Sequence, residues 1–396
     1  MAATLAVIGA GTMGAGIAQV ALEAGWEVRL QDVTPGAVER ARERIRDGLT
    51  RRASRAVPDP AQRDGFVAGY LAHLRDAPSP AEAAAEAALV IEAVVEDLDA
   101  KRALFAELDE AADQGTILAT NTSALSVSDI GHGVRIAPER VLGLHFFNPA
   151  PLLPLVEVVR AARTADWALE RAAAFVEGWG KTPIRCADSP GFIVNRVNRP
   201  FTLEALRLLH SGAATVEAID TAVVEAGFPM GPFTLMDLIG IDVNLAAARS
   251  LFEAFGRPPR FRPSPIQEEL VAAGRLGRKT GEGFYRYERG QRTGLSARFA
   301  TPPSAHPPQG HDGIGITDRL VLAIVNEAYR ALGDGIATAD DIDRAMRLGA
   351  SHPFGPFEWA RGTGLDEVAL MLDTLAAEDA DTFRPALALL REVRGH

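Results

Sequence analysis

Residues 143–159 read "GLHFFNPAPLLPLVEVV", and they place His145 and Glu157 twelve residues apart among apolar residues and prolines. A carboxylate in so apolar a run requires a partner, because burying an unpaired charge is costly. A histidine with such neighbours is most often a core residue with its hydrogen bonds satisfied. Two features favour a working pair instead. "RVLGLHFF" and "PLVEVVRA" both read as strands, and the Pro-rich link between them suits a turn that sets the two residues side by side. His145 also ends its strand, and in an open α/β sheet that edge is where ligands bind. A carboxylate beside an imidazole holds it in one tautomer and stabilises the imidazolium. Such a dyad can take the proton of an alcohol as its hydride departs.

A hydride needs an acceptor, and the N-terminus offers a place for one. Gly9-Ala10-Gly11-Thr12-Met13-Gly14 is a G-x-G-x-x-G between an apolar strand and a helix, and Asp32 closes the next strand. Gly9 permits the tight turn, Gly11 lets a pyrophosphate approach the backbone, and Gly14 lets the helix pack close to the strand. The helix N-terminus, at Thr12 and Met13, faces the negative charge. Asp32 would accept both ribose hydroxyls and repel a 2′-phosphate, which favours NAD over NADP. A ligand-free glycine turn is the alternative, and a flavin is the other possible dinucleotide. No second dinucleotide feature follows downstream.

These residues need a scaffold. "TLAVIG", "EVRLQD", "ALVIEAVVED", "GTILATNTS", "RVLGLHFF", "PLVEVVRA" and "TPIRCAD" read as strands, with helical sequence between most of them and throughout 36–75. Alternation of this kind predicts a parallel sheet covered on both faces. After Asp188 the strands stop and the pattern turns helical. A Pro- and Gly-rich stretch at 288–313 reads as a linker or surface loop. Beyond it the helical pattern repeats: Arg196, Glu204, Arg207, Gly212, Thr215 and Asp220 match Arg319, Glu327, Arg330, Gly335, Thr338 and Asp343 at one offset. After a one-residue insertion, Gly231-Pro232-Phe233 meets Gly355-Pro356-Phe357. A duplicated helical domain follows. The expected architecture is an α/β Rossmann-type N-terminal domain at 1–187, a first all-α domain at 188–287, a linker at 288–315 and a second, related all-α copy at 316–396.

Composition excludes other classes. The chain has 396 residues, a net charge of −11 and 47% apolar residues. It is long enough for two or three domains, and its charge argues against nucleic-acid and basic membrane-surface partners. The lone Cys186 excludes an intrachain disulfide and a multi-cysteine metal site, so no metal is expected and a reducing compartment fits. Neither a membrane-length apolar run nor a signal pattern is visible, and the expected location is the cytoplasm.

The chain resembles the L-3-hydroxyacyl-CoA dehydrogenase family. The strings "VIGAGTMGAGIAQVAL", "NTSALS", "GLHFFNPAPLLPLVEVV", "DSPGFIVNR", "MGPFTLMDLIGIDV" and "GRKTGEGFYRY" occur in the family's order across nearly the whole chain. The resemblance implies NAD-dependent, reversible oxidation of an L-3-hydroxyacyl-CoA, with the site between the first two domains. It implies catalytic roles for His145 and Glu157, and contacts from Ser123 and Asn195 to the substrate oxygen. Cofactor contacts would fall on Asp32, Glu96, Lys101, Asn148 and Lys279. Taken alone, Ser123 reads equally as a helix N-cap, Asn195 as an exposed polar residue, and Glu96, Lys101 and Lys279 as surface charges.

The coenzyme A handle is anionic. Seven arginines lie between 40 and 55, and on one helix Arg40, Arg44, Arg51 and Arg55 share a face. This face is a dock for CoA phosphates or an ordinary solvated surface. Family contacts from this region, through a Ser and a Lys, map onto Gly48 and Arg55, and Gly48 has no hydroxyl to offer. Arg51 and Arg55 are the candidate substrate contacts. The second helical copy has Asp318 where the first has Asn195, so it is expected to be non-catalytic. It would pack on the first copy in place of a partner subunit, giving a monomer or an oligomer built through other surfaces. Short-chain substrates such as 3-hydroxybutyryl-CoA are expected. The rival readings are a dehydrogenase of a free hydroxy acid or sugar acid, and an NAD-binding protein without catalysis.

Overall fold

Eight short strands form one sheet, the central ones rich in Val, Leu, Ile and Ala. They are β1 (Thr4–Ile8), β2 (Glu27–Gln31), β3 (Leu74–Asp76), β4 (Leu89–Glu92), β5 (Ile117–Thr120), β6 (Val141–Phe146), β7 (Leu155–Arg160) and β8 (Thr182–Ala187), in the order β3-β2-β1-β4-β5-β6-β7-β8. The computed structural model describes residues 3–300 and 314–395. These fall into two compact units, Met1–Phe192 and Ile193–His396. β1, β4 and β5 are buried along almost their whole length, as strands covered on both faces must be. The order reverses between β1 and β4, and the glycine loop leaves β1 at that switch point.

The sheet is not wholly parallel, as its alternating pattern suggested. β6 and β7 run antiparallel, while every other neighbouring pair is parallel. The link at 147–154 is too short for a parallel crossover, which takes about a dozen residues or more. The segment expected to be helical over 36–75 is interrupted. A helix runs Ala37–Ala56, a second runs Arg63–Leu71, and β3 follows. Pro58 and Pro60 account for the break, since neither proline nor the residue before it continues a helix.

The first unit extends beyond residue 187 because Asp188 is tied into it. Its carboxylate accepts from Ser126 Oγ (2.8 Å), Val127 N (3.1 Å) and Ser128 N (2.8 Å), capping the Val127–Gly131 helix. Strands also recur after Asp188. β9 (Tyr285–Glu288) and β10 (Gln291–Leu295) form an antiparallel hairpin that spans the boundary between the expected first all-α domain and the expected linker. Arg289 and Gly290 both take positive φ, as a two-residue hairpin turn requires. Residues 301–313 of that linker lie outside the described residues.

The second unit holds both helical copies. The Arg199–His210 helix of the first packs against the Ile316–Gly333 helix of the second. Matched residues do the same work in each. Thr215 Oγ1 accepts from Ala218 N and Thr338 Oγ1 from Asp341 N, both at 3.1 Å. Asp220 receives Phe233 N and Thr234 N, and Asp343 receives Phe357 N and Glu358 N. The contacts between copies are reciprocal. Arg196 Nε donates to Glu327 at 2.8 Å, and Arg319 Nε donates to Glu204 at 2.6 Å. Arg196 also reaches Asp334 (2.6 Å), and Arg319 reaches Glu378 (2.7 Å). Each guanidinium lies over a phenylalanine, Phe255 for Arg196 and Phe383 for Arg319. Mutual exchange of this kind is the pattern of a twofold interface, built here within one chain.

Candidate active site

Gly9 follows β1 with φ of 106°, and a Cβ at Gly14 would stand 1.8 Å from the Gly9 carbonyl oxygen. Only glycine fits both places. A Cβ at Gly11 would meet no protein atom within 4 Å, so the backbone there is open to a ligand. The Thr12–Glu23 helix starts at once, with no side-chain cap on its first amides and no acidic residue in its first turn. Thr12 is exposed and Met13 half-buried. Uncapped amides at a helix start suit a pyrophosphate.

Asp32 closes the loop. Its Oδ2 accepts from Ala10 N and its Oδ1 from Thr34 N, both at 2.7 Å. Burial raises its pKa, but these donors and Arg40 outweigh burial and hold the carboxyl below its usual range. An ionised carboxylate therefore stands against the glycine loop. A carboxylate accepts, so it fits a dinucleotide whose ribose keeps its hydroxyls as donors.

β6 and β7 bring His145 and Glu157 directly opposite each other. His145 Nδ1 lies 2.6 Å from Glu157 Oε2, with the histidine 5% exposed and the glutamate fully buried. Phe147 and Phe192 flank the imidazole at 4.5 and 5.6 Å between ring centres. Nε2 has no hydrogen-bond partner among the described residues. The carboxylate fixes Nδ1, and Nε2 is left to exchange a proton.

Ser123 lies on the turn after β5, and Glu96 shapes that turn. The Glu96 carboxylate accepts from Thr122 Oγ1, from Ser123 N (3.1 Å) and from Ala124 N (3.3 Å). Burial raises its pKa, and Lys101 with these donors brings it below the ordinary value. Ser123 is not an N-cap, since Ser126 caps the helix that follows. Asn121 ties this turn to the dyad strand, because its Oδ1 accepts from Phe146 N at 2.9 Å.

Lys101 is no surface charge. It is 1% exposed, and its ammonium is bound by Glu92 (2.5 Å) and Glu96 (3.2 Å). Its place is behind Glu96. Asn148 is exposed and lines a cavity of about 350 Å³ with Thr12, Gln19, Arg44, Asp47 and Arg51. Arg51 thus borders the glycine loop, whereas Arg55 is exposed outside that lining. Asn195 and Lys279 belong to the second unit. Asn195 lies half-buried on the short Val194–Val197 helix, and Lys279 is held by both oxygens of Asp242 at 2.6 and 2.7 Å.

The model of the 3-hydroxyacyl-CoA dehydrogenase NAD-binding domain matches residues 4–189. The model of the same family's C-terminal domain matches 191–287 and again 316–394. The chain belongs to the 3-hydroxyacyl-CoA dehydrogenase family. It is an NAD-dependent oxidoreductase acting on a 3-hydroxyacyl-CoA. The chain is 39% identical to the 3-hydroxyadipyl-CoA dehydrogenase of Escherichia coli over 98% of its own length and 97% of that protein. It is 42% identical to the mitochondrial hydroxyacyl-coenzyme A dehydrogenase of Rattus norvegicus, over 71% of this chain and 90% of that one. A crystal structure of 3-hydroxybutyryl-CoA dehydrogenase from Escherichia coli superposes with a TM-score of 0.88 at 36% identity, covering 100% of this chain and 98% of the other. The double match of the C-terminal model agrees with the internal repeat.

Sequence reasoning missed Glu92, Asn121 and Thr122. Glu92 had a signal, since it is a lone carboxylate inside the buried strand "ALVIE" and needed a cation. Asn121 and Thr122 had none beyond their place next to Ser123.

Proposed function

We propose that His145 is the general base for oxidation of the 3-hydroxyl. NAD held at the glycine loop and Asp32 would supply the hydride acceptor. As the C3 hydrogen departs, the oxygen gains negative charge and its proton passes to His145 Nε2. Glu157 at Nδ1 holds the ring and stabilises the imidazolium that results. A positioned base of this kind contributes roughly 10²–10⁴-fold. Ser123 and Asn195 are assigned as donors to the oxygen, where the loss of one donor costs on the order of 10²-fold or more. The observation that carries this reading is the 2.6 Å His145–Glu157 pair with Nε2 left open.

The cofactor contacts are assigned to Gly9, Gly11, Thr12, Met13, Gly14, Asp32, Glu96 and Asn148, with Lys279 a further candidate. Lys101 is assigned to holding Glu96. Arg51 is assigned to the CoA phosphates on the strength of the cavity it lines, and Arg55 extends the same basic face. The acyl chain is short, with 3-hydroxybutyryl-CoA the simplest case. Among the described residues no helix is long and apolar enough to cross a membrane, and the proposed location is the cytoplasm. The reciprocal clamp between the helical copies supports a monomer. A solution dimer joined through two first-copy helical domains, with the second copy held elsewhere, rules that state out.

The test is NADH formation across L-3-hydroxyacyl-CoA chain lengths beside free hydroxy acids and sugar acids. Oxidation of thioesters alone is expected. Oxidation of the free acids moves the assignment to that substrate class. NAD binding without turnover of any of them leaves a binding protein.

A further inference from the structure

Arg199 opens the Arg199–His210 helix and is only 7% exposed. Its guanidinium has no carboxylate partner among the described residues. Among the described residues Nε is buried without a hydrogen bond, Nη1 reaches only the Asn244 carbonyl at 3.5 Å, and Nη2 makes no hydrogen bond. Burial alone pulls its pKa down to about 10. A buried cation without a counter-charge is costly, so its presence calls for a reason.

The duplication supplies an internal control. Where the first copy has Arg199, the second has Leu322, and Leu322 is buried. The fold accepts an apolar side chain at this place, so packing does not demand an arginine. The second copy also replaces Asn195 by Asp318. The two copies thus differ at both of these positions, four residues apart. Asn198 N bonds to the Val194 carbonyl at 2.9 Å, so the chain stays helical past Asn195. Arg199 therefore follows Asn195 by about one turn. Side chains at this spacing are about 5–6 Å apart at Cβ.

We propose that Arg199 receives a carboxylate at the far end of the acyl chain, so that the enzyme favours a 3-hydroxyacyl-CoA ending in an acid over one ending in a methyl group. The inference rests on the reading of Asn195 as a contact to the 3-oxygen. In a six-carbon chain three C–C bonds separate C3 from the terminal carboxyl carbon, a span of about 4 Å. That length is of the order of the Asn195-to-Arg199 step. A guanidinium pairs with a carboxylate through two parallel hydrogen bonds, which the free Nε and Nη2 can supply. One Escherichia coli relative is named for a chain of this kind, 3-hydroxyadipyl-CoA.

The test uses the full-length enzyme and Arg199→Leu, the residue the second copy already carries. Calorimetry compares adipyl-CoA with hexanoyl-CoA, neither of which has a 3-hydroxyl to oxidise. The parent should bind adipyl-CoA at least tenfold more tightly. Arg199→Leu should lose that preference while hexanoyl-CoA binding holds or improves. The ratio of kcat/KM for 3-hydroxyadipyl-CoA over 3-hydroxyhexanoyl-CoA should fall by the same factor. Equal binding of the two thioesters by the parent, or an equal loss on both in the variant, overturns the inference. Should Arg199→Leu not fold, Arg199→Gln removes the charge alone and must give the same loss. Selective binding of adipyl-CoA without oxidation of either hydroxyacyl-CoA overturns the dehydrogenase reading and leaves Arg199 as the carboxylate site.

Discussion

His352 gives the account a thermodynamic handle. It lies in the second copy, and its Nε2 is 2.9 Å from Asn198 Oδ1 in the first. The ring packs against Phe201 and Phe228 at 5.9 and 5.0 Å between centres. Burial pulls its pKa down from 6.5 to about 4. In the folded state the ring therefore stays neutral to about pH 4, whereas in the unfolded chain it protonates near 6.5. Between those values the unfolded chain binds more protons, so this group's contribution to stability is lost as pH falls from 6.5 through 4. Each pH unit of separation is worth about 1.4 kcal/mol, which makes the full loss about 3 kcal/mol. Asp237 acts in the opposite sense. Burial pushes it up to about 6, so the folded state gains protons first and stability rises as pH falls from 6 toward 3.8. The raw pH profile mixes these terms, and the difference between the parent and His352→Leu isolates the histidine. Trp359 is the one tryptophan of 193–396, so the fluorine signal of 5-fluorotryptophan there follows urea unfolding of the second unit. The stability difference between parent and variant should shift by about 3 kcal/mol from pH 7 to pH 4, the parent losing more. A difference independent of pH would mean that His352 is protonated as readily in the folded state as in the unfolded one.

Two further outcomes follow from the first unit. Asp32→Ala should weaken NAD binding roughly 10- to 100-fold, the worth of hydrogen bonds to a charged acceptor, and should narrow the gap between NAD and NADP in fluorescence titrations. Glu92→Ala strips Lys101 of its closest buried partner and should cost about 3–5 kcal/mol in thermal unfolding, whereas an unchanged midpoint would show that the pair carries no structural load.

Much of the candidate site was legible because its residues announce themselves against their neighbours. The glycines sit between a strand and a helix, and the dyad is a pair of polar residues in two apolar runs joined by a turn. The duplication was legible because a shared offset cannot be produced by composition. Other features depend on what lies opposite in space. Lys101 and Glu96 read as surface charges, since nothing local places Glu92 behind them. β3 is three residues long and is held by pairing with β2, which is a tertiary cause. The β9–β10 hairpin was hidden by polar residues and by a turn that relies on positive φ at an arginine. Arg199 carries no local signal, because the lack of a counter-charge among the described residues is a property of the folded state.

Whether His145 takes the proton as hydride leaves is read from stopped-flow formation of NADH by His145→Ala with a saturating L-3-hydroxyacyl-CoA. The rate should fall by about 10²-fold or more with the dissociation constant for NAD unchanged. A rate within a few-fold of the parent would contradict that role.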